Sequence, residues 1–172
     1  MHVFHCDHCD HLLFFENTRC LRCDHVVAYL PDLAVVGSLE EADDHTWRSP
    51  LARAEGRRYR LCENYTTHQV CNWAVAADDE QTLCLSCRLT RVIPDLSDDP
   101  GDAHRLAWYR LEAAKRRLVY TLLALHLPLR NREEDPERGL AFEFLADQPD
   151  RPVLTGHATG VIGTIEYRYS GQ

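Results

Sequence analysis

Apolar residues fall along this chain in short bursts between polar turns, and only one stretch repeats with a helical period. Leu12, Leu13, Phe14 and Phe15 run from a β-prone segment into a turn at Glu16 and Asn17, and residues 25–30 are again β-prone. A short apolar run at 33–39 leads into Glu40, Glu41, Asp43 and Asp44, an acidic stretch that predicts a solvated linker or loop. After the Pro- and Asp-rich residues 94–100 comes the longest predicted helix. Asp99 is placed to cap it, Pro100 fits its first turn and Asp102 favours the positive end of its dipole. Within it Leu111, Ala114, Leu118, Leu122 and Leu125 recur at three- and four-residue steps, which predicts a core-facing stripe, with Glu112, Lys115 and Arg116 on another face; Pro128 ends the helix. Beyond a charged loop at 130–138, residues 140–145 and 153–155 predict short strands. A turn through His157, Ala158, Thr159 and Gly160 then feeds a strand at 161–165.

The eight cysteines change this picture from a list of elements to an organised chain. Cys6, Cys9, Cys20 and Cys23 form C-x2-C-x10-C-x2-C, two chelating turns separated by room for a hairpin. A C-x2-C turn presents both sulfurs to one point, and two such turns complete a closed, all-thiolate tetrahedral zinc site. The residue after each second cysteine usually has positive φ and is often glycine. Here Asp10 and Asp24 stand there, among the few residue types that tolerate that conformation. Cys62, Cys71, Cys84 and Cys87 make a second quartet, C-x8-C-x12-C-x2-C, with one tight turn and a polar loop at 64–69. Trp73, Ala74 and Val75 would wall this metal, and Asp78, Asp79 and Glu80 would form a solvent-facing turn. The expected cofactor is therefore Zn2+, two structural ions. His2, His5, His8 and His11 recur every third residue, but imidazoles beside an all-cysteine site more often lie at the surface or bond to sulfur.

Length and charge narrow the function classes. The 172 residues suffice for one ordinary domain or two small ones. The longest apolar stretch, 118–129, is interrupted by His126 and Pro128 and is too short for the roughly 20 residues of a membrane helix. No basic start or apolar run follows Met1, so reduced thiols and a cytoplasmic location are expected. The formal charge is −8, and two tetrathiolate zinc sites at −2 each would bring it to −12. Nucleic acid, which is bound through lysines and arginines, is not an expected partner. Arg53, Arg57, Arg58 and Arg60 form a local positive excess, read as balancing acidic neighbours. His157 is a modest site candidate, more simply a polar turn residue.

The chain resembles the putative zinc-binding metallopeptidase family. The motifs that carry the resemblance are Phe14-Phe15-Glu16-Asn17, Cys20-x2-Cys23, Cys71-Asn72-Trp73, Cys84-x2-Cys87-Arg88-Leu89, Ile93-Pro94-Asp95-Leu96-Ser97, Glu112 to Leu118 and Val153-Leu154-Thr155-Gly156-His157. The resemblance implies that all eight cysteines are zinc ligands, and that members carry a His-Glu-x-x-His helix downstream that supplies catalytic zinc ligands and a general base. No histidine in this sequence is followed by glutamate. The chain is accordingly expected to hold the zinc-ribbon half without the catalytic centre, with no catalytic residue of its own and no peptidase activity by itself.

The expected fold class is α+β: zinc-ribbon hairpins, one long helix and a short C-terminal β segment. The expected divisions are a ribbon at 1–30, a linker at 31–61, a second four-cysteine segment at 62–97, the helix at 98–128 and an incomplete peptidase-like start at 129–172. An incomplete sheet there would leave its last strand unpaired and expose Val153, Leu154, Val161 and Ile162, inviting self-association or a protein partner. The other expectation is a self-sufficient zinc-ribbon module for protein docking.

Overall fold

The computed structural model describes residues 3–42, 45–97, 102–146, 157–158 and 161–163. The chain divides into two units, Met1–Leu85 and Ser86–Gln172. Mixed strands and one long helix make it α+β, as expected.

The first unit is built from short strands. β1 (Phe4–His5) pairs antiparallel with β2 (Leu12–Leu13). A five-stranded antiparallel sheet follows, formed in sequence order by β3 (Val26–Leu30), β4 (Val35–Glu41), β5 (Trp47–Arg48), β6 (Tyr59–Leu61) and β7 (Ala74–Ala76). A one-turn helix, α1 (Glu63–Thr66), joins β6 to β7. Residues 31–61 are thus the middle of a sheet and not the linker that their acidic composition predicts. Glu40 and Glu41 end β4, and Glu40 meets Arg48 of β5 at 3.0 Å. Cross-strand pairing of opposite charges makes an acidic stretch compatible with a strand.

Side chains of β3 alternate between two packed faces, which the run of buried positions alone does not reveal. Ala28 and Leu30 enter a core with Leu39, Ala54, Tyr59 and Ala74. Val27 and Tyr29 face the other way, where Tyr29 lies 5.3 Å from Phe15 and 4.5 Å from Trp73, centroid to centroid. Phe15 and Trp73 meet edge to face at 6.4 Å. A backbone bridge between Tyr29 and Trp73 brings the end of the chain segment before β7 back against β3.

The second unit contains β8 (Thr90–Val92), α2 (Ala103–Ala124), β9 (Ala141–Glu143), β10 (His157–Ala158) and β11 (Val161–Gly163). β8 and β9 run parallel, with α2 as the crossover between them, and the sheet order is β10-β11-β9-β8. The last described strand is therefore paired on both sides, contrary to the expected unpaired strand, because His157 and Ala158 fold back on it as β10. The same pairing places His157 in a strand and not in a turn. Val153 and Leu154, with the strand expected at 153–155, lie outside the described residues, as do Asp99 and Pro100.

Helix α2 departs most from its sequence pattern. It begins after Asp102, which takes a left-handed conformation at φ 61° and makes no side-chain cap; its carboxylate instead accepts from Arg105 at 3.0 Å. It ends at Ala124, before Pro128. His126 is left-handed at φ 54°, and its N–H bonds to the Leu123 carbonyl while the Leu127 N–H bonds to that of Leu122, the paired bonds of a Schellman stop. The buried face is Trp108, Glu112, Ala113, Lys115, Arg116 and Val119, whereas Ala114, Leu118 and Leu125 of the expected core stripe are exposed and Leu111 and Leu122 are half-buried. Glu112 and Lys115 are buried because they satisfy each other. Glu112 Oε1 accepts from Trp108 Nε1 at 3.1 Å and from the Thr90 hydroxyl at 2.9 Å, and Lys115 Nζ meets Glu112 Oε2 at 2.8 Å. The ammonium also lies 5.6 Å above the rings of Phe142 and Phe144.

Removing one partner of such a pair strands the other charge in a dry site, at a cost of about 3–5 kcal/mol. Lys115→Ala should lower unfolding free energy by that amount in urea titrations, and Glu112→Ile with Lys115→Met should recover most of it. Leu125→Glu, on the exposed stripe, should stay within about 0.5 kcal/mol. Equal effects of Lys115→Ala and Leu125→Glu would show that the pair does not anchor the helix.

Candidate metal centres

Both cysteine quartets converge. The sulfurs of Cys6, Cys9, Cys20 and Cys23 lie within 4.8 Å of one another, and so do those of Cys62, Cys71, Cys84 and Cys87. Four thiolates at about 2.3 Å from a tetrahedral ion are separated by roughly 3.8 Å. The Cys6–Cys23, Cys9–Cys20 and Cys71–Cys84 sulfurs lie 3.6, 3.5 and 3.7 Å apart, which matches that geometry and is far from a disulfide. The donor set and its spacing fit zinc. Each site would be closed by four sulfurs, leaving no position for a water nucleophile.

The two turns of the first site repeat the same backbone pattern. In one, the Asp10 N–H bonds to the Cys6 carbonyl at 2.8 Å and the Cys6 N–H to that of His11 at 2.9 Å. In the other, Asp24 bonds to Cys20 and Cys20 to His25, both at 2.9 Å. Asp10 and Asp24 have φ of 58° and 59°, the left-handed conformation expected at these positions. Among the described residues the histidines stay outside the ligand set. His8 stacks on His25 at 3.9 Å, His25 Nδ1 sits 3.3 Å from the Cys23 carbonyl, and His5 pairs with Asp10.

The second site is assembled from less regular pieces. Cys62 precedes α1, the one-turn helix that occupies part of the predicted polar loop, and Gln69 at φ 56° turns the chain back toward Cys71. Backbone N–H groups of Trp73 and Cys84 donate to the sulfurs of Cys71 and Cys62 at 3.4 and 3.3 Å, the outer-shell bonds that stabilise a thiolate. Trp73, Ala74 and Val75 are buried, as expected of a wall beside the metal.

Three polar contacts fasten the first ribbon to the rest of its unit. Asp7 Oδ2 accepts from the Ser38 N–H at 2.7 Å and from its hydroxyl at 3.1 Å. Asn72, between Cys71 and Trp73, donates to the Phe15 carbonyl, and the Tyr65 hydroxyl donates to that of Thr18 at 2.9 Å. These residues escaped the sequence reading except as parts of motifs, since their partners lie 31, 57 and 47 positions away. Within the arginine-rich stretch Arg57 pairs with Asp32, which also accepts from the Tyr59 hydroxyl at 3.0 Å. Burial and this carboxylate push the Tyr59 phenol up to about 12.

Residues 3–98 match the sequence model of a zinc-ribbon domain family, over more than half of the chain. The chain belongs to this zinc-ribbon family. Residues 104–168 of the zinc-ribbon protein match a second model, described as putative zinc-binding metallo-peptidase. Uncharacterized proteins of Mycobacterium bovis and Mycobacterium tuberculosis are 37% identical to it over 163 residues, which is 94% of this chain and 42% of theirs. The zinc-ribbon chain thus spans less than half the length of these relatives. No solved structure matches it.

The ribbon thiols set a pH dependence for metal uptake. Without metal, burial raises the Cys6 thiol. At Cys23 the His25 N–H favours the thiolate, but burial and the neighbouring Cys9, Cys20 and Cys6 sulfurs outweigh it and push the thiol up to about 12. Cys20 is held down at about 6: burial opposes ionisation there, but N–H groups of Cys23 and Arg22 prevail. Zinc must therefore displace protons from Cys6 and Cys23 at neutral pH, so affinity should rise with pH and fall on acidification, by about tenfold per displaced proton per pH unit. Competition with a chromophoric chelator between pH 6 and 8 measures this, and a flat profile would contradict it.

Proposed function

We propose that this chain is the structural, zinc-ribbon-bearing N-terminal part of a zinc-dependent metallopeptidase, and that the catalytic zinc centre belongs to a portion outside these 172 residues. The observation that carries this reading is a pair of closed four-sulfur sites beside a segment that matches the peptidase family. Such sites hold a fold together and offer no open coordination position for hydrolysis. The stripe of α2 with Leu118 and Leu125, 39% and 63% exposed, supports it, since further peptidase sequence would cover those side chains. We place the protein in the cytoplasm, where thiols stay reduced; among the described residues no helix is long and apolar enough to cross a membrane.

A stand-alone docking module is the second reading. Val3, Leu12 and Phe14 face outward from the β1–β2 pair at 58%, 43% and 61% exposure. Exposed apolar faces of this kind mark contact sites.

Purified chain should contain close to two zinc equivalents and show no cleavage of casein. Chelator-sensitive cleavage that exceeds a mock purification would overturn the first reading. Loss of partner binding in Leu12→Ser with Phe14→Ser, with zinc content unchanged, would favour the second.

A further inference from the structure

The two metal centres differ in one respect that bears on their chemistry. All four cysteines of the second site are buried, from 0 to 2% exposed. In the first site Cys6 and Cys20 are buried at 2% and 1%, while Cys9 and Cys23 are partly exposed. The close sulfur contacts of the first site run across its two turns: Cys9 lies 3.5 Å from Cys20, and Cys23 lies 3.6 Å from Cys6. Each of these two pairs joins a partly exposed cysteine to a buried one. Oxidation of cysteine needs both thiolate character and access, and an adjacent second cysteine converts the first product to a disulfide.

We infer that the first ribbon is a site of reversible oxidation by hydrogen peroxide, entered at Cys9 or Cys23 and resolved by Cys20 or Cys6, and that it surrenders its zinc while the second site keeps its own. The inference rests on the reading of both quartets as zinc sites. In the first step the Cys9 thiolate attacks the peroxide: an S–O bond forms, the O–O bond breaks, and the departing hydroxide takes a proton to become water. In the second the Cys20 thiolate attacks the Cys9 sulfur, forming the S–S bond and expelling the second hydroxide, which also leaves as water. Two sulfurs give up two electrons in total, and one peroxide becomes two waters. The Cys23 and Cys6 pair reacts in the same way.

Either disulfide removes two of the four zinc ligands, and the hairpin held by them loses its closure. Phe4 and Phe15, buried at 7% and 1% with their rings 6.5 Å apart, then lose the frame that keeps Phe15 beside Tyr29 and Trp73. The second site is guarded by the burial of all four of its cysteines.

The test treats the zinc-loaded chain with hydrogen peroxide, follows zinc release with a metallochromic dye, and maps disulfides by proteolysis and mass spectrometry. Expected are release of one equivalent, a Cys9–Cys20 or Cys6–Cys23 linkage, and at least tenfold slower loss from the second quartet. Dithiothreitol with added zinc should restore the starting state. Release of both ions at one rate, disulfides confined within the Cys6/Cys9 or Cys20/Cys23 turns, or no release under conditions that oxidise free cysteine would each overturn the inference. A starting content near one equivalent would remove the two-site reading instead, and disulfide mapping of the first ribbon would still decide the inference.

Discussion

The closure of four sulfurs on one point is the constraint on which the first unit depends. β1 and β2 are two residues each, β5 is two and β6 and β7 are three, lengths at which strand pairing alone is marginal. A tetrathiolate centre supplies what these pairings lack, because ligands far apart in sequence are held at one point and the binding free energy becomes folding free energy. The two centres are joined through packing: Phe15 follows β2, Trp73 follows Cys71, and Tyr29 of β3 lies between them. The buried amide of Asn72 crosses the same space to the Phe15 carbonyl, so order at one centre has a direct physical route to the other.

The second unit solves its closure problem differently. It has one cysteine, Cys87, at its start, and its interior is organised by the carboxylate–ammonium pair of Glu112 and Lys115 between α2 and the sheet. A buried pair of this kind adds little net stability compared with well-packed hydrocarbon, but it penalises any register that leaves one charge alone. Thr90 on β8 and Trp108 one turn earlier on α2 both donate to the same Glu112 oxygen, which fixes strand and helix relative to a single atom.

Much of the first ribbon was legible because its determinants are local. The spacing of Cys6, Cys9, Cys20 and Cys23 names the metal, and the tolerance of aspartate for positive φ accounts for Asp10 and Asp24. The second quartet was legible by elimination, with Trp73 beside it. Helix α2 was legible as a helix but not by face: periodicity ranks leucine above lysine for burial, and it cannot see that Thr90, Phe142 and Phe144 would arrive to house a charge. The same blindness to partners made residues 31–61 read as a linker, since the acid of Glu40 is answered by Arg48 across a strand pair and Asp32 by Arg57. His157 read as a turn because its strand partner, Ile162, lies only five positions on.

The filled coordination shell of a four-sulfur site bears on what the two quartets can do chemically. A tetrathiolate ion has its charge spread over four sulfurs and its coordination filled, so it can neither polarise a carbonyl nor lower the pKa of a water; its effect is confined to geometry. A catalytic zinc instead needs three protein ligands, an open position and a general base within reach of its water. Neither quartet can acquire that arrangement without losing a sulfur. A filled quartet is therefore suited to holding short strands and turns in place, and to nothing that needs an open coordination position.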